Sequence, residues 1–490
     1  MASTPTDSVP TEDKAPLIGR AEMKVIGLLL VAAFVAILNE TTMGIAIPHL
    51  NTDLGIPPEL GQWLTSAFML TMAIVIPTTG FLLQRFTTRQ IFIAAMTAFS
   101  LGTLVCIVAP GFEILLAGRV IQAAGTGIMM PLLMTTMMNV VPPHARGRMM
   151  GLVGLVISLA PAIGPVLAGA VLDAFNWRAL FIIVFPIAIL SLVMGMKWMT
   201  NLGETKDAPI DILSIVLSAL GFGGFVYGLS QFGGESTTGE IIGIISLVGG
   251  LVALALFVWR QIVLQRVDDA LLDLRVFRSR NYTIAVIVMA ILALSMFGTL
   301  VLLPQYLQNV AGLDALQSGL VLLPGSILMG LLGPVMGLIY DARGTRVLLI
   351  PGTIMVSAAL FFYATIGEHT EVWQLVVAQT VISVGLSMSF TPLFSSSLGS
   401  LRRSLYSHGS AALNTIQQVA GAAGVALLTA IYSSILHAGE HQGLETAAAG
   451  APGARMAFLV AAIVSLAAVA LSAFVRKPAD DVDAEFTGGH

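Results

Sequence analysis

Apolar residues in this chain come in long unbroken runs, not in the alternation of a half-buried strand or the stripe of a surface helix. The first reads VIGLLLVAAFVAILNETTMGIAI, residues 25–47, close to the ~20 residues a helix needs to cross a bilayer. Breaking the chain at charged or Pro/Gly-rich stretches predicts fourteen spans, at 25–47, 61–83, 90–109, 112–140, 148–172, 179–199, 210–230, 240–260, 283–306, 317–340, 347–366, 372–398, 408–436 and 453–475. The fourth, twelfth and thirteenth run long, which predicts tilt or protrusion. The expected fold class is all-α and integral to a membrane.

Charge placement tests that count. With the N-terminus in the cytoplasm, 20 of the 23 lysines and arginines fall in cytoplasmic segments. Only Arg178 and Arg455 fall outside, and Arg119 lies within a span. Outer loops instead carry Asp53, Glu59, Glu113, Glu235, Asp314 and Glu368. Basic residues stay on the cytoplasmic side of membrane proteins, and an odd number of spans would scramble the bias. A multi-pass protein of the cell membrane with both termini cytoplasmic is the expectation.

The chain also repeats itself. GFLLQRFTTRQ begins at Gly80 and GLIYDARGTRV at Gly337, an offset of 257, while Gly151 and Gly409 open spans five and thirteen at an offset of 258. That offset exceeds six helices by about two, so two six-helix halves with two helices inserted between them is the simplest account. The domains expected are a tail at 1–24, a half at 25–200, the inserted pair at 201–260, a linker at 261–282, a half at 283–476 and a tail at 477–490. The linker mixes Ile262, Val263, Val267, Leu271, Leu274 and Phe277 with charges. An amphipathic helix on the inner membrane surface and a plain polar tether both fit it.

Composition agrees with a chain whose solvent is mostly lipid: 56% hydrophobic residues, 10% charged and a mean hydropathy of +0.91. A net charge of −4 over 490 residues implies no nucleic-acid partner. Cys106 is alone, in apolar surroundings that suggest an inert thiol.

Candidate chemistry begins with Glu40, the one carboxylate placed away from the span ends. An ionisable group in hydrocarbon costs roughly 2.5–3.5 kcal/mol on insertion scales, so a chain that keeps one there needs a use for it. Ala32, Ala36, Glu40 and Gly44 share one helix face, whose small residues let it border a cavity or pack closely. A carboxylate in that place can hold a proton or a cationic ligand but not both; a structural carboxylate locked in a hydrogen bond is the alternative. Arg119 falls at the same depth, and Gln122, Thr126 and Met130 continue its face. Either Arg119 pairs permanently with Glu40, which would stop the acid cycling, or it bonds backbone or Asn39 and only tunes the acid.

Four stretches carry a resemblance: LNETTMGIAIP from Leu38, GFLLQRFTTRQ from Gly80, LLAGRVIQAAGTG from Leu115 and SLAPAIGPVLAGAVLD from Ser158. They resemble the signatures of the fourteen-span drug:proton antiporters of the major facilitator superfamily, and LNET with LQRFTTRQ looks especially like the lincomycin-resistance-type exporters. The resemblance implies the major facilitator fold and export of amphipathic, drug-like compounds driven by the proton gradient, with no cofactor. It assigns Arg119 to proton coupling. It makes Ala160, Pro161, Gly164, Pro165 and Gly169 the antiporter signature that seals the cavity against leak, although a generic kinked packing helix would show the same residues. It makes Gly80, Gln84, Arg85 and Arg89, with their second copy Gly337, Asp341 and Gly344, a cytoplasmic gate. Here the chain departs from the family pattern: Gln84 and Thr87 stand where Asp and Gly are usual. Gln84 can offer only neutral hydrogen bonds, so Asp341 is expected to carry more of the latch.

Gln305, Gln308, Asn309, Gln379, Asn414 and Gln418 are candidate pocket residues, each equally readable as a helix–helix hydrogen bond. Met129, Met130, Met134, Met137 and Met138 crowd span four, where flexible thioethers suit either a promiscuous lining or ordinary packing. His437 and His441 stand at i+4 in what reads as an outer loop, with no third ligand evident, so no metal is expected. No Walker loop is present, so ATP is not the direct driver. The expected partners are a small-molecule substrate, protons and lipids, and the expected state is a monomer. Export of an endogenous lipid or metabolite is the nearest alternative. An embedded enzyme would need more convergent ionisable groups, and a receptor a longer extramembrane segment.

Overall fold

Hydrocarbon offers no partner for a peptide N–H or C=O, so apolar runs of this length must close their own hydrogen bonds as helices. The computed structural model describes residues 19–56, 58–201, 211–231, 237–367 and 370–478. Fourteen of its helices are long and apolar enough to cross a membrane. They are α1 (Arg20–Leu54), α2 (Pro58–Arg85), α3 (Thr88–Val108), α4 (Phe112–Val140), α5 (Arg146–Ala174), α6 (Arg178–Trp198), α7 (Ile212–Ser230), α8 (Thr237–Leu264), α9 (Arg280–Asn309), α10 (Ala315–Arg343), α11 (Arg346–Tyr363), α12 (Val372–Gly399), α13 (Tyr406–His441) and α14 (Thr446–Ser472). The chain is an all-α, multi-pass membrane protein. Residues 1–18 and 479–490 of the two tails, Lys206, Glu235 and Glu368 lie outside the described residues.

Local signals set several boundaries. Thr87 and Gln90 form a capping box that starts α3, and Asp314 with Gln317 does the same for α10. Gly344, at φ 81°, ends α10 in a backbone region that side chains other than glycine's rarely enter. Arg85, Arg89, Arg146, Arg148, Arg343, Arg346, Arg402, Arg403 and Lys477 gather at one end of the bundle, the basic end. The two arginines at the opposite end are held to the protein. Arg178 donates to the Ala109 carbonyl at 2.9 Å and lies 3.8 Å from Asp53, and Arg455 donates to the Ile366 carbonyl.

Helix contacts fall in two matching sets. Among α1–α6, α1 touches α2, α4, α5 and α6, α2 touches α4, and α3 touches α4 and α6. Among α9–α14 the same pairs recur eight helices later: α9 with α10, α12, α13 and α14, α10 with α12, and α11 with α12 and α14. The sets meet along two seams, α5 with α10 and α2 with α13. The α5–α10 seam is built from glycine. A Cβ on Gly337 would stand 2.2 Å from the Gly147 carbonyl oxygen, and one on Gly151 would stand 2.3 Å from that of Gly333. The helix α7 packs on α2 and on α13, and α8 packs on α7. Much of α8 faces outward, with Ile245, Val252 and Trp259 exposed, as a lipid-facing surface would be.

Three expectations need correction. No amphipathic helix fills 261–282: α8 runs to Leu264, and two short 3-10 turns, Gln265–Val267 and Leu274–Arg278, lead to α9. The apolar residues of this stretch serve two environments. Ile262 and Val263 at the end of α8 and Val267 in the turn after it are exposed, while Leu271, Leu272 and Val276 enter the core. Asp268 turns the chain at φ 58°, and both it and Asp273 bind Arg275. Second, His437 and His441 are in the last turns of α13, not in a loop, because that helix runs 36 residues. Third, the starts of α5 and α13, Arg146 and Tyr406, are 260 residues apart, so Gly151 corresponds to Ala411 and not to Gly409.

The α5–α10 seam yields a paired prediction. Gly337→Ala places a methyl group against backbone that cannot swing aside, and overpacking of this kind costs about 1–3 kcal/mol. Its thermal midpoint in detergent should fall below that of the wild type. Gly169→Ala, which meets nothing within 4 Å, should leave the midpoint unchanged.

Candidate functional site: a cavity at Glu40 closed at the basic end

The helices α1, α2, α4, α5, α9, α10, α12 and α13 enclose a cavity of about 200 Å³ in the middle of the bundle. Of the residues expected there, Glu40, Thr126, Met130, Gln379, Asn414 and Gln418 line it, joined by Pro161 of the antiporter signature. Asn39, Gln122, Arg119 and Gln305 do not. Six polar residues not singled out from the sequence join the lining: Thr41, Ser158, Thr299, Ser326, Ser383 and Gln417. Two of them, Thr41 and Gln417, adjoin residues that were singled out, and helical spacing alone did not say that both neighbours would face inward. Four methionines, Met72, Met130, Met296 and Met329, supply thioether surface. Met129, Met134, Met137 and Met138 are core residues, each at most 1% exposed.

The lining is chemically divided. The first set contributes the carboxylate of Glu40 beside Ile37, Met72, Ile76 and Met130. The second contributes the amides of Gln379, Asn414, Gln417 and Gln418. The Gln379 carbonyl accepts from the Tyr363 hydroxyl at 3.2 Å, and Asn414 donates to the Ser410 carbonyl at 2.8 Å, so both amides are held in place. Glu40 is half-buried, and among the described residues no ion pair holds it.

Arg119 stands apart from the acid. It is fully buried on α4, donates to Gln122 Oε1 at 2.7 Å and to the Leu64 carbonyl at 3.5 Å, and lies 4.1 Å over the Phe68 ring. Gln122 passes the chain on to the Thr103 hydroxyl at 2.8 Å, which donates to the Phe99 carbonyl at 2.7 Å. One guanidinium nitrogen, Nη2, has no hydrogen-bond partner among the described residues, and neither has the Asn39 amide nitrogen. In this conformation the permanent ion pair is not made, and Asn39 is not the arginine's partner. Arg119 is near enough to Glu40 for the two charges to interact without touching.

The small face of α5 packs on α1 beside the acid. Ala160 and Ala168 are fully buried, and a Cβ on Gly164 would stand 2.2 Å from the Thr41 hydroxyl oxygen. Pro161 turns toward the cavity, and the side chain of Pro165 lies outside the described residues.

Polar contacts close the basic end between the two helix sets. Asp341, near the end of α10, accepts from the backbone N–H of Gly147 at 2.8 Å and of Arg148 at 2.9 Å. A carboxylate thus caps the N-terminus of α5, where unpaired donors and the helix dipole favour negative charge. The equivalent contact at the other seam is neutral: Gln84 donates to the Ser404 carbonyl at 3.0 Å. Beside it a Cβ on Gly80 would meet the His408 backbone at 3.2 Å. Arg146 joins the sets through the Tyr406 hydroxyl at 3.3 Å, and Thr135 bonds Ser410 at 2.6 Å. Arg89 binds the end of α6 through the Met196 carbonyl at 2.6 Å, Arg85 lies over the Phe86 ring, and Lys477 reaches the Asp341 carbonyl beside Gly344.

Comparison with known proteins follows the same line. The sequence profile of the Major Facilitator Superfamily matches residues 29–425. An uncharacterized MFS-type transporter of Bacillus subtilis, YcnB, is 41% identical over 93% of this chain and 95% of its own length. The lincomycin resistance protein LmrB of Listeria monocytogenes is 39% identical over 92% and 96% respectively. Among solved structures, the human organic anion transporter MFSD10 superposes with a TM-score of 0.60 at 14% identity, covering 91% of this chain and 99% of that one. That likeness concerns the fold.

The two contacts differ in charge, and their loss should differ accordingly. Asp341→Ala removes a charged cap worth about 0.5–2 kcal/mol, and Gln84→Ala one neutral hydrogen bond of about 0.5–1.5 kcal/mol. Maleimide labelling of a cysteine placed at the basic end should accelerate more in Asp341→Ala than in Gln84→Ala.

Proposed function

The chain belongs to the Major Facilitator Superfamily, and from that premise we propose that it is a proton-driven antiporter exporting amphipathic, drug-like molecules. The observation that carries this reading is the cavity: one unpaired carboxylate among thioethers and amides, closed toward the basic end. The names of its relatives, a lincomycin resistance protein and, at 29% identity, a multidrug resistance protein B homolog of Mycobacterium tuberculosis, support the drug-like class.

The reading assigns roles as follows. The repeated contact pattern supports two six-helix halves with α7–α8 inserted, rocking about the cavity. The basic end is cytoplasmic, as are both termini, so the conformation described is the one shut toward the cytoplasm. Glu40 carries the proton and releases it when a substrate occupies the cavity. A carboxylate without a fixed counter-ion suits that task, because a permanent salt bridge would hold it ionised. Arg119, held by Gln122 and the Leu64 carbonyl, places a positive charge near the acid without quenching it. Asp341 and its neighbours latch the cytoplasmic side while the cavity faces outward. Tight packing of Gly164 on Thr41 seals the cavity wall beside the acid. One acid limits the site to about one proton per cycle. A one-for-one exchange with a neutral substrate then moves net charge, worth ~2.3 kcal/mol per 100 mV, and exchange with a monocation does not.

The test is drug efflux and proton flux in reconstituted vesicles, wild type against Glu40→Gln. The expected result is loss of gradient-driven efflux and of drug-induced proton movement, with drug binding retained. Unimpaired coupled efflux in Glu40→Gln would remove Glu40 from the mechanism. Proton movement evoked by endogenous lipids or metabolites but by no drug-like compound would transfer the site to that substrate class.

A further inference from the structure

The inserted pair α7–α8 is tied into the protein at both faces of the α2–α13 seam. On one face α7 packs on α2, with Trp63 and Tyr227 stacked at 5.7 Å and a Cβ on Gly223 coming within 3.2 Å of Leu70. On the other, a partly buried polar chain leads from α7 to the start of α13. Asp211, the residue preceding α7, receives two hydrogen bonds from Arg260 of α8, each 2.7 Å long, and one from the Ser214 hydroxyl. Gln261, fully buried, donates to Ser214 at 2.7 Å and accepts from the Leu272 backbone N–H at 3.1 Å. Leu272 and Val276 hold the linker in the core, and Phe277 packs edge-on against Tyr282 at 5.6 Å. The Tyr282 hydroxyl then donates to the Gly409 carbonyl of α13 at 2.7 Å. Both partners of the Gln84–Ser404 contact are therefore flanked by this assembly, through α2 on one side and α13 on the other.

The linker does not fill the space beside that contact. A cavity of about 610 Å³ lies between Asp268–Ser279, the α12–α13 turn and Gln84. The two seams are thus closed differently. The α5–α10 seam has glycine contact and the Asp341 cap, whereas the α2–α13 seam has a neutral amide contact with a clasped strap beside it. Arg260 also holds the Asp211 carboxyl below the usual carboxylate range, so the clasp is intact at neutral pH.

We propose that Asp211, Arg260 and Gln261 are positioning residues for the gate. Their clasp fixes the linker against α13, so the inserted helices set how firmly the α2–α13 seam stays shut at the basic end. They touch no substrate. The proposal rests on the alternating-access reading above, and its test reads the gate directly without requiring any substrate to move.

The experiment uses the full chain in vesicles, with Cys106→Ser removing the single native thiol and Ser407→Cys, at a buried position in the first turn of α13, as the reporter. Maleimide applied from the basic end measures opening. Asp211→Asn, Arg260→Gln and Gln261→Leu should each raise the labelling rate at least threefold. The exchanged pair Asp211→Arg with Arg260→Asp should return it toward the starting value. A second reporter, Ser158→Cys in the central cavity, separates a loosened gate from general loosening when labelled from the opposite end: it should slow as the basic end opens. Unchanged Ser407→Cys labelling in the three single variants would overturn the proposal. So would acceleration that the exchange does not reverse, or equal acceleration of both reporters. Failure of drug efflux in the wild type, with these labelling shifts intact, would count against the substrate reading alone.

Discussion

Hydrocarbon solvates neither a peptide group nor an ionised side chain, and that constraint reaches every part of this protein. It forces the backbone into fourteen helices that satisfy themselves, and it restricts charge to places where the protein supplies a partner. Arg119 shows the rule at its strictest, with an amide, a backbone carbonyl and an aromatic face around a fully buried guanidinium. Arg178 and Arg455, at the end opposite the other cations, obey it through backbone carbonyls. Glu40 is the group that the protein leaves without a fixed partner among the described residues, and it is also the one that opens onto the cavity. An acid in such a place is costly when ionised and empty-handed, and it is relieved by a proton or by a bound cation. The cost of burial is what makes the two occupants exclusive.

The same constraint explains why the two seams need not be alike. A helix N-terminus inside a bundle presents unpaired N–H groups, and whatever reaches it from the other set ties the two sets together there. At α5 the visitor is a carboxylate with two hydrogen bonds; at α13 it is an amide that reaches only the preceding turn. A protein that weakens one of two matching latches must either accept a looser seam or stiffen it from outside. The position of α7–α8, against α2 and joined through the linker to α13, is where such stiffening has to act.

Much of this was legible in the sequence. Fourteen apolar runs gave fourteen helices because length and composition decide the matter in lipid, with little left to tertiary context. The divergence of Gln84 from Asp341 could be read as a difference in latch chemistry, since charge and hydrogen-bonding capacity belong to the side chain itself. What sequence could not supply was which neighbour faces inward. Gln122 shares the Arg119 face and Asn39 adjoins Glu40, yet both turn into packing, whereas Thr41 and Gln417 line the cavity. A helix inside a bundle is buried nearly all round, so periodicity carries no signal separating a face toward a cavity from a face toward a neighbour. The linker stayed open between an amphipathic helix and a polar tether for a related reason: its mixture of apolar and charged residues does not say that they serve lipid at one end and core at the other.

The division of the cavity bears on selectivity. Thioethers adapt their shape to many apolar ligands, and one carboxylate attracts positive charge without specifying geometry. Amides are more demanding, because a buried donor or acceptor left unmatched costs about 1–3 kcal/mol. Gln379 and Asn414 are partly satisfied within the protein, which lowers the cost of leaving them unmatched by a ligand. Gln417 and Gln418 stand one turn further along α13 from Asn414, on the same wall. A ligand that meets their amides gains binding that a flat hydrocarbon cation cannot, so breadth comes from thioethers on both sets of helices, Met72 and Met130 on the first and Met296 and Met329 on the second, and discrimination from the amides of the second. On the alternating-access reading proposed above, the two sets move relative to one another, and that discrimination is exercised only while both walls face the same ligand.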